Sequence, residues 1–155
     1  MTGAQLAAHG LVVAPPSGMD ARIMRRPAVD PSERTFPVMH VATFALPEQR
    51  DDFGGNFTAS MRPSDVLIVL FEYAPESTTQ PLFAARGIPR VSATMFSPQR
   101  LQRPLPGQLG CQLFFQENGR AFCLYVVAGG RASLPRIVTQ VNGALGALRI
   151  GPVTP

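Results

Sequence analysis

The chain has 155 residues, of which 45% are hydrophobic and 15% charged, and its formal net charge is +4. That length and composition exclude a disordered chain and predict one domain, residues 1–155, with a substantial core. No run reaches the ~18 apolar residues of a membrane-spanning helix. Because all 14 basic residues are Arg, we attribute the positive charge to the codon bias of a high-GC bacterial genome.

Proline and glycine divide the first part of the chain into short elements. A short helix is predicted over residues 2–8, and an exposed loop over residues 26–37. The predicted strands are residues 11–14, 21–25, 38–46 and 66–71. The last of these strands does not alternate apolar with polar residues, so both of its faces are expected to be covered. Residues 79–86 are predicted as a short helix that ends at Gly87, and residues 88–106 as irregular.

A strand, a two-residue turn, a second strand and a helix are predicted between residues 108 and 150. The turn is Asn118-Gly119, which suits a type I′ hairpin because both central residues need positive φ. This turn pairs Glu117 with Arg120. It also sets an apolar group on one face: Cys111, Leu113, Phe115, Phe122, Leu124 and Val126. The helix, with Ser133 as its N-cap, has a matching apolar stripe: Leu134, Ile137, Val138, Val141, Leu145 and Leu148.

The other face of this hairpin mixes aromatic and amide side chains: Gln112, Phe114 and Gln116 lie there opposite Ala121, Cys123 and Tyr125. Such a surface is too apolar to stay bare and too polar for the centre of a core, which is typical of an interface with aromatic anchors. We therefore hypothesise that Phe114, Tyr125, Gln112 and Gln116 bind a protein partner or a second copy of the chain. The alternative is that a helix or the 88–106 loop of the same chain covers this face.

A glycine turn before the long helix is a candidate anion site. Gly129, Gly130, Arg131 and Ser133 would offer free main-chain N–H groups and one positive charge to an anion. The chain has no P-loop lysine and no G-x-G-x-x-G, so a plain turn from strand to helix is the favoured interpretation.

Two groups of arginines raise the question of nucleic-acid binding. They are Arg22, Arg25 and Arg26 in one group and Arg100 and Arg103 in the other. Nucleic-acid-binding domains usually interleave aromatic residues with such groups, and apart from Phe96 these stretches have none. We expect a solvated surface and no specific binding of nucleic acid.

Residue types for catalysis or metal binding are sparse. His9 and His40 lie far apart, and the chain contains no G-x-S-x-G, C-x-x-C or H-E-x-x-H. We therefore expect neither an enzyme nor a metal or other cofactor. The adjacent Asp51 and Asp52 favour a solvated pair over a metal site.

The two cysteines help to indicate the cellular compartment of the protein. The hairpin register places Cys111 and Cys123 on opposite faces, so they are expected to be reduced thiols that cannot form a disulfide with each other. The first ten residues carry no positive charge before their apolar residues. Both observations favour a cytoplasmic protein without a secretory signal.

Three stretches occur in a suggestive order: the bend at residues 11–18 (LVVAPPSG), the strand at residues 119–127 (GRAFCLYVV), and residues 148–150 (LRI) after the closing helix. In this order the chain resembles the photosystem-associated PsbP-type domains, which are small α/β/α sandwiches. It departs from them at Met19, where relatives usually carry Trp. The resemblance implies a fold and diverse binding or assembly roles, and no shared catalytic residues.

These observations predict an α+β domain with a mostly antiparallel β-sheet of five to six strands and helices on both faces, an α/β/α sandwich. The predicted function is that of a small, non-enzymatic bacterial protein that binds another protein or supports an assembly. The alternative is a domain that binds a small apolar or anionic ligand without catalysis. An apolar cavity between helix and sheet would favour a ligand, and a flat apolar patch would favour a protein partner.

Overall fold

The computed structural model describes residues 5–46 and 58–152. Its regular elements are β1 (Leu6–Ala8), β2 (Leu11–Val13), β3 (Asp20–Met24), β4 (Val38–Ala42), β5 (Val66–Tyr73), β6 (Leu109–Glu117), β7 (Arg120–Ala128), α1 (Leu134–Gly146) and β8 (Arg149–Ile150). The strands form a three-stranded sheet of order β1-β2-β8 and a five-stranded sheet of order β3-β4-β5-β7-β6. Every pair of neighbouring strands is antiparallel, as the sequence predicts.

The β6–β7 hairpin has the predicted register. Asn118 and Gly119 both have positive φ, +52° and +75°, as a type I′ turn requires. Glu117 pairs with Arg120, and all the pairs that follow from it are formed, up to Leu109 with Ala128. Because the register is fixed, the predicted division of the hairpin into two faces is also confirmed.

The first face of the hairpin, which carries Cys111, Leu113, Phe115, Phe122, Leu124 and Val126, belongs to the main core. The apolar stripe of α1 packs into the same core, with Ile137 and Val141 fully buried. Leu11, Val13 and Ile150, from β2 and β8, also contribute to this core. The predicted match between hairpin face and helix stripe is confirmed, and the three-stranded sheet adds to the cover.

The second face, which carries Gln112, Phe114, Gln116, Ala121, Cys123 and Tyr125, is covered differently from the prediction. Leu46, Met61 and Leu101, all from irregular segments, pack against it. The predicted α/β/α sandwich with helices on both faces is therefore wrong. The described chain is mostly β, and its one long helix, α1, lies over the first face.

Proline explains why the predicted helix over residues 79–86 does not form. In its place are two short 3₁₀ turns, Pro75–Thr79 and Pro81–Phe83, each with a proline in its first positions. The proline ring has no N–H to donate and disfavours helical backbone at the residue before it. Each proline thus begins a new short turn, and the segment does not extend into an α-helix.

The N-terminal part also differs from the prediction. Residues 6–8 form the strand β1, not a helix, and residues 2–4 of that predicted helix lie outside the described chain. His9 and Gly10 have φ of +53° and +77° and join β1 to β2 as a second tight hairpin. β8, which the sequence did not predict, pairs with β2.

A buried ion pair connects the two sheets. The guanidinium of Arg120 donates from Nε to Oε2 of Glu72 at 2.9 Å and from Nη2 to Oε1 at 2.6 Å. It also donates to the carbonyl oxygens of His9 and Gly151, each at 3.0 Å. The side chains of Arg120 and Glu72 are only 3% and 4% exposed. Since His9 follows β1 and Gly151 follows β8, this pair fastens the small sheet to β5 and β7.

Candidate functional site: the outer edge of β6

β6 forms one edge of the five-stranded sheet, and both of its ends are paired by irregular segments. At one end Gly110 and Ser97 exchange two main-chain hydrogen bonds, each 2.9 Å from N to O. At the other end the Gln116 N–H donates to the Ala85 carbonyl at 2.8 Å, and the Gly87 N–H donates to the Gln116 carbonyl at 2.9 Å. These bonds show that Gly110 and Gln116 direct their main-chain groups away from β7.

The residues between these two bridges leave the edge open. Main-chain groups along an antiparallel strand alternate in direction, so Gln112 and Phe114 direct their N–H and C=O groups outward like Gly110 and Gln116. Within residues 5–46 and 58–152, no main-chain hydrogen bond pairs these four groups. Residues 112–114 are half-buried, whereas the strand is buried just before and just after them. We call the outward main-chain groups of Gln112 and Phe114 the β6 edge.

The described chain between the two bridges, residues 88–96, passes around this edge and not along it. After Gly87 it moves onto the α1 side, where the Val91 N–H donates to Oδ1 of Asn142 at 2.9 Å and the Val91 carbonyl accepts from Nδ2 at 3.0 Å. It then returns past Ser97, and Leu101 packs on the second face. The intervening residues lie over a face of the sheet, not alongside β6.

An aromatic cluster lies beside the β6 edge. The Phe83 ring is buried between Tyr73 and Phe114, with centroid distances of 5.2 Å and 5.6 Å. Tyr73 is 38% exposed, and Leu82, in the same 3₁₀ turn as Phe83, is 56% exposed. Phe114 itself is half-buried. Phe114 therefore leaves apolar surface accessible next to the edge, whereas Tyr73 lies on β5, on the far side of β7.

Two of the four residues predicted to bind a partner have internal partners. The Gln116 amide donates to the carbonyls of Thr78 and Phe83, at 2.9 Å and 2.7 Å, and so holds the 3₁₀ turns against β6. Tyr125 is 2% exposed, and its hydroxyl accepts a hydrogen bond from the Gln102 N–H at 2.8 Å. The loop of the same chain thus covers Tyr125, which was the alternative interpretation of this face.

The other two predicted residues lie at the surface. Gln112 and Phe114 are half-buried and adjoin the β6 edge. The Gln112 amide makes a long contact of 3.6 Å to Sγ of Cys123. Their contact with a partner stays a prediction, and the structure adds the main-chain groups that the sequence analysis did not consider.

Exposed arginines lie at the two ends of the β6 edge. Residues 80–110 contain four arginines and no acidic residue. Arg86 bridges to Gln116 at one end of the edge, and the main chain of Arg100 lies within 3.0 Å of where a Cβ on Gly110 would be. Arg86, Arg90 and Arg100 are exposed, and none of them forms an ion pair with another described residue.

The predicted anion site is a close-packed turn. The Gly129 N–H donates to the Asp65 carbonyl at 2.8 Å, and a Cβ on Gly129 would lie 2.0 Å from the Arg62 carbonyl oxygen. Glycine is required here by this close approach. Ser133 precedes α1 but makes no capping hydrogen bond with its side chain. Gly130 packs against Pro63.

Arg131, the charged member of that predicted site, lines a cleft of about 520 Å³. The other lining residues come from the preceding loop and the start of β6: Pro98, Pro104, Leu105, Pro106, Gly107, Gln108 and Leu109. The cleft is open, mostly apolar and next to the first turn of the helix. The structure thus separates Arg131 from the glycines with which the sequence grouped it.

The carboxylate of Asp65 belongs to the same turn and is almost fully buried. Burial alone would raise its pKa. The Arg62 N–H, the Arg62 guanidinium and the Thr43 hydroxyl outweigh that effect and hold the pKa of Asp65 below its usual value. This charged group is satisfied internally and needs no ligand.

The two thiols are poor nucleophiles. Cys111 and Cys123 are buried and unbridged on opposite faces, as predicted. Burial raises the pKa of each thiol to about 11. At neutral pH each is protonated and shielded.

Other candidate residues do not assemble into a site in the described chain. His40 is buried on β4, and His9 lies in the β1–β2 turn. Among the described residues, no three His, Cys, Asp or Glu side chains are placed to hold a metal ion. Asp51 and Asp52 lie outside these residues.

Comparison of the chain with protein-family models, curated proteins and solved structures finds no match. The resemblance to PsbP-type domains, which came from the order of elements, therefore stays a hypothesis. No helix in the described parts of the chain has the length and apolar character needed to cross a membrane.

Proposed function

We propose that this protein is a non-enzymatic binding protein that takes up an extended segment of a protein partner at the β6 edge. The observation that carries the proposal is the pair of residues Gln112 and Phe114, whose outward N–H and C=O groups have no main-chain partner among the described residues and lie between two bridged ends. An extended peptide can supply complementary main-chain groups and become a short additional strand. The bridged ends limit this pairing to about three residues.

The aromatic cluster would add affinity and specificity to this main-chain pairing. Side chains of an added strand alternate in direction, so every second one would lie on the same side as Phe114. There it would meet the apolar surface left by Phe114, whose ring is held by Phe83. Aromatic residues at the centre of an interface commonly contribute most of its affinity.

The other parts of the proposal have support of their own. Two buried, protonated thiols and the lack of a clustered set of metal ligands in the described chain support a function without catalysis. Two unbridged cysteines are typical of a reducing compartment and support a location in the cytoplasm.

The main-chain groups can be tested separately from the side chain. A proline at position 112 removes only an outward N–H, so Gln112→Pro preserves the ladder with β7, while Gln112→Ala preserves the outward N–H. Random peptides displayed on phage would be selected against the wild-type protein. We expect selected peptides to bind Gln112→Ala like wild type and Gln112→Pro about tenfold more weakly, because one donor is lost and a carbonyl is left unpaired.

Hydrogen exchange gives an independent measurement on the same complexes. The amide protons of Gln112 and Phe114 should exchange more slowly when a selected peptide is bound. Peptides that bind Gln112→Pro as tightly as Gln112→Ala would rule the proposal out. So would a selection that enriches no peptide for the wild-type protein over Gln112→Pro.

A second candidate function is favoured by the cleft beside Arg131. Its apolar walls, its volume of about 520 Å³ and its single cationic side chain suit a small apolar anion. Anilinonaphthalene sulfonate has this chemistry and can serve as a probe. Saturable binding that is weakened by Arg131→Gln, but not by Arg136→Gln on the exposed side of α1, would support the ligand function. Binding that both variants leave unchanged would exclude it.

A further inference from the structure

We infer that the segment taken up at the β6 edge is acidic and belongs to a different protein, not to a second copy of this chain. This inference rests on the proposed function and identifies the chemistry of the partner. It is carried by the charges around the β6 edge and by the geometry of its two bridged ends.

The first argument is charge complementarity. Arg26, Arg34, Arg62 and Arg120 have carboxylate partners in the described chain, whereas exposed arginines far from β6, such as Arg136 and Arg149, have none there. Arg86 and Arg100 likewise pair with no carboxylate of the described chain, and both are exposed at the two ends of the β6 edge. Residues 80–110 contain no acid of their own to offset this positive charge.

The second argument is spacing. Arg86 lies at the level of Gln116 and Arg100 at the level of Gly110, which are six residues apart on β6. At roughly 3.4 Å per residue this separation is about 20 Å. Because Ser97 and Arg86 occupy the two ends of the edge, only the middle three residues of a bound peptide pair with Gln112 and Phe114, and its ends leave the edge beside the bridges. A carboxylate on each of these ends would face one of the two arginines.

The third argument excludes a second copy as the occupant. Two β6 strands paired antiparallel would bring Gly110 of one copy opposite Gln116 of the other. Ser97 and Arg86 already occupy those positions. The same pairing would also bring Arg100 of one copy towards Arg86 of the other, which is repulsive.

Nucleic acid is also attracted to arginines, but it does not fit the remaining observations. The β6 edge presents alternating N–H and C=O groups, which an extended peptide backbone complements and a sugar-phosphate backbone does not. Residues 80–110 contain two phenylalanines, Phe83 and Phe96, and both are buried, so they offer no platform for stacking bases.

The test uses two peptides and one oligonucleotide. One capped peptide has valines and threonines between two glutamates, and its counterpart has glutamines in place of the glutamates. The oligonucleotide is an unstructured single strand. The charge variant is Arg86→Gln/Arg100→Gln, and the matched control is Arg136→Gln/Arg149→Gln, whose arginines are exposed elsewhere. Both variants lower the formal net charge from +4 to +2, since each removes two arginines.

We expect the charge variant to weaken binding of the glutamate peptide about tenfold and to leave the glutamine peptide unchanged. The control should bind both peptides like wild type. Gln112→Pro should weaken both peptides, because both use the β6 edge. Raising the salt concentration should weaken the glutamate peptide more than the glutamine peptide.

The outcomes separate this inference from the proposed function. If Gln112→Pro weakens both peptides while the charge variant binds the glutamate peptide as tightly as the control does, the β6 edge binds peptide, and the inference of an acidic partner is wrong. If neither peptide binds, or Gln112→Pro changes neither, the inference and the proposed function both fail. If the oligonucleotide binds at physiological salt and Arg86→Gln/Arg100→Gln abolishes that binding, the arginines form a nucleic-acid site and the inference is overturned.

Discussion

Arg120→Met should destabilise the fold more than any change to a surface ion pair. The substitution leaves the Glu72 carboxylate buried, at 4% exposure, without the two hydrogen bonds it accepts from the guanidinium. It also removes the donors to the carbonyls of His9 and Gly151. Breaking a buried pair by removing one partner costs about 3–5 kcal/mol, a large share of the 5–15 kcal/mol that stabilises a typical domain.

Chemical denaturation by urea at neutral pH measures this loss, and the melting temperature should fall by roughly 6–20 °C for a chain of this size. The matched control is Arg34→Met, which breaks the Arg34–Glu76 pair, whose side chains are 60% and 68% exposed. Solvent screens such an exposed pair, so its loss should change the stability far less than the loss of Arg120. The same comparison can be followed by hydrogen exchange, which should accelerate in β2 and β8 only for Arg120→Met.

The double variant Glu72→Met/Arg120→Met tests the physical cause. If the loss comes from an uncompensated buried charge, the double variant should be more stable than Arg120→Met alone, because two apolar side chains can replace a buried pair at little cost. The argument fails if Arg120→Met costs no more than Arg34→Met. It also fails if the stability losses of the single variants Arg120→Met and Glu72→Met simply add in the double variant.

Three further predictions concern Gly129 and the thiols. Gly129→Ala should destabilise the protein by more than about 2 kcal/mol in thermal denaturation, because its Cβ would meet the Arg62 carbonyl oxygen at 2.0 Å. Gly146→Ala, where nothing lies within 4 Å, should be neutral or slightly stabilising, and equal effects would contradict the packing argument. Cys111 and Cys123 should resist alkylation in the folded protein and both react after denaturation; a mass showing a disulfide would contradict the fold. Since folding raises the pKa of both thiols to about 11, their contribution to stability is complete below pH ~9 and is lost as the pH rises towards 11. Midpoints of urea denaturation that stay constant across this pH range would refute the predicted pH dependence of stability.

The hairpin and helix were predictable because their signals are local. A two-residue turn at Asn118-Gly119 fixes every pair of β6 with β7, and the helix stripe is complete within one short segment. The cover of the second face was not predictable in the same way. The contact of Tyr125 with Gln102 joins residues that are 23 apart, and no pattern around either residue encodes it.

The candidate site could be predicted only in part. Placing Phe114 and Gln112 on one face follows from the register, and the lack of acids over residues 80–110 was visible in the sequence. The order of the strands was not visible, and it decides that β6 is an edge. Arg120 shows the same limit, since its partner Glu72 is 48 residues away on β5.

The two bridges at the ends of β6 also bear on how this protein avoids self-assembly into fibrils. An open, straight edge strand is a template on which further copies can add without end. Here Ser97 and Arg86 occupy the two ends of that template, so a long strand cannot lie flat along it. What remains is a window of about three residues, wide enough for a short ligand and too narrow to propagate a growing sheet.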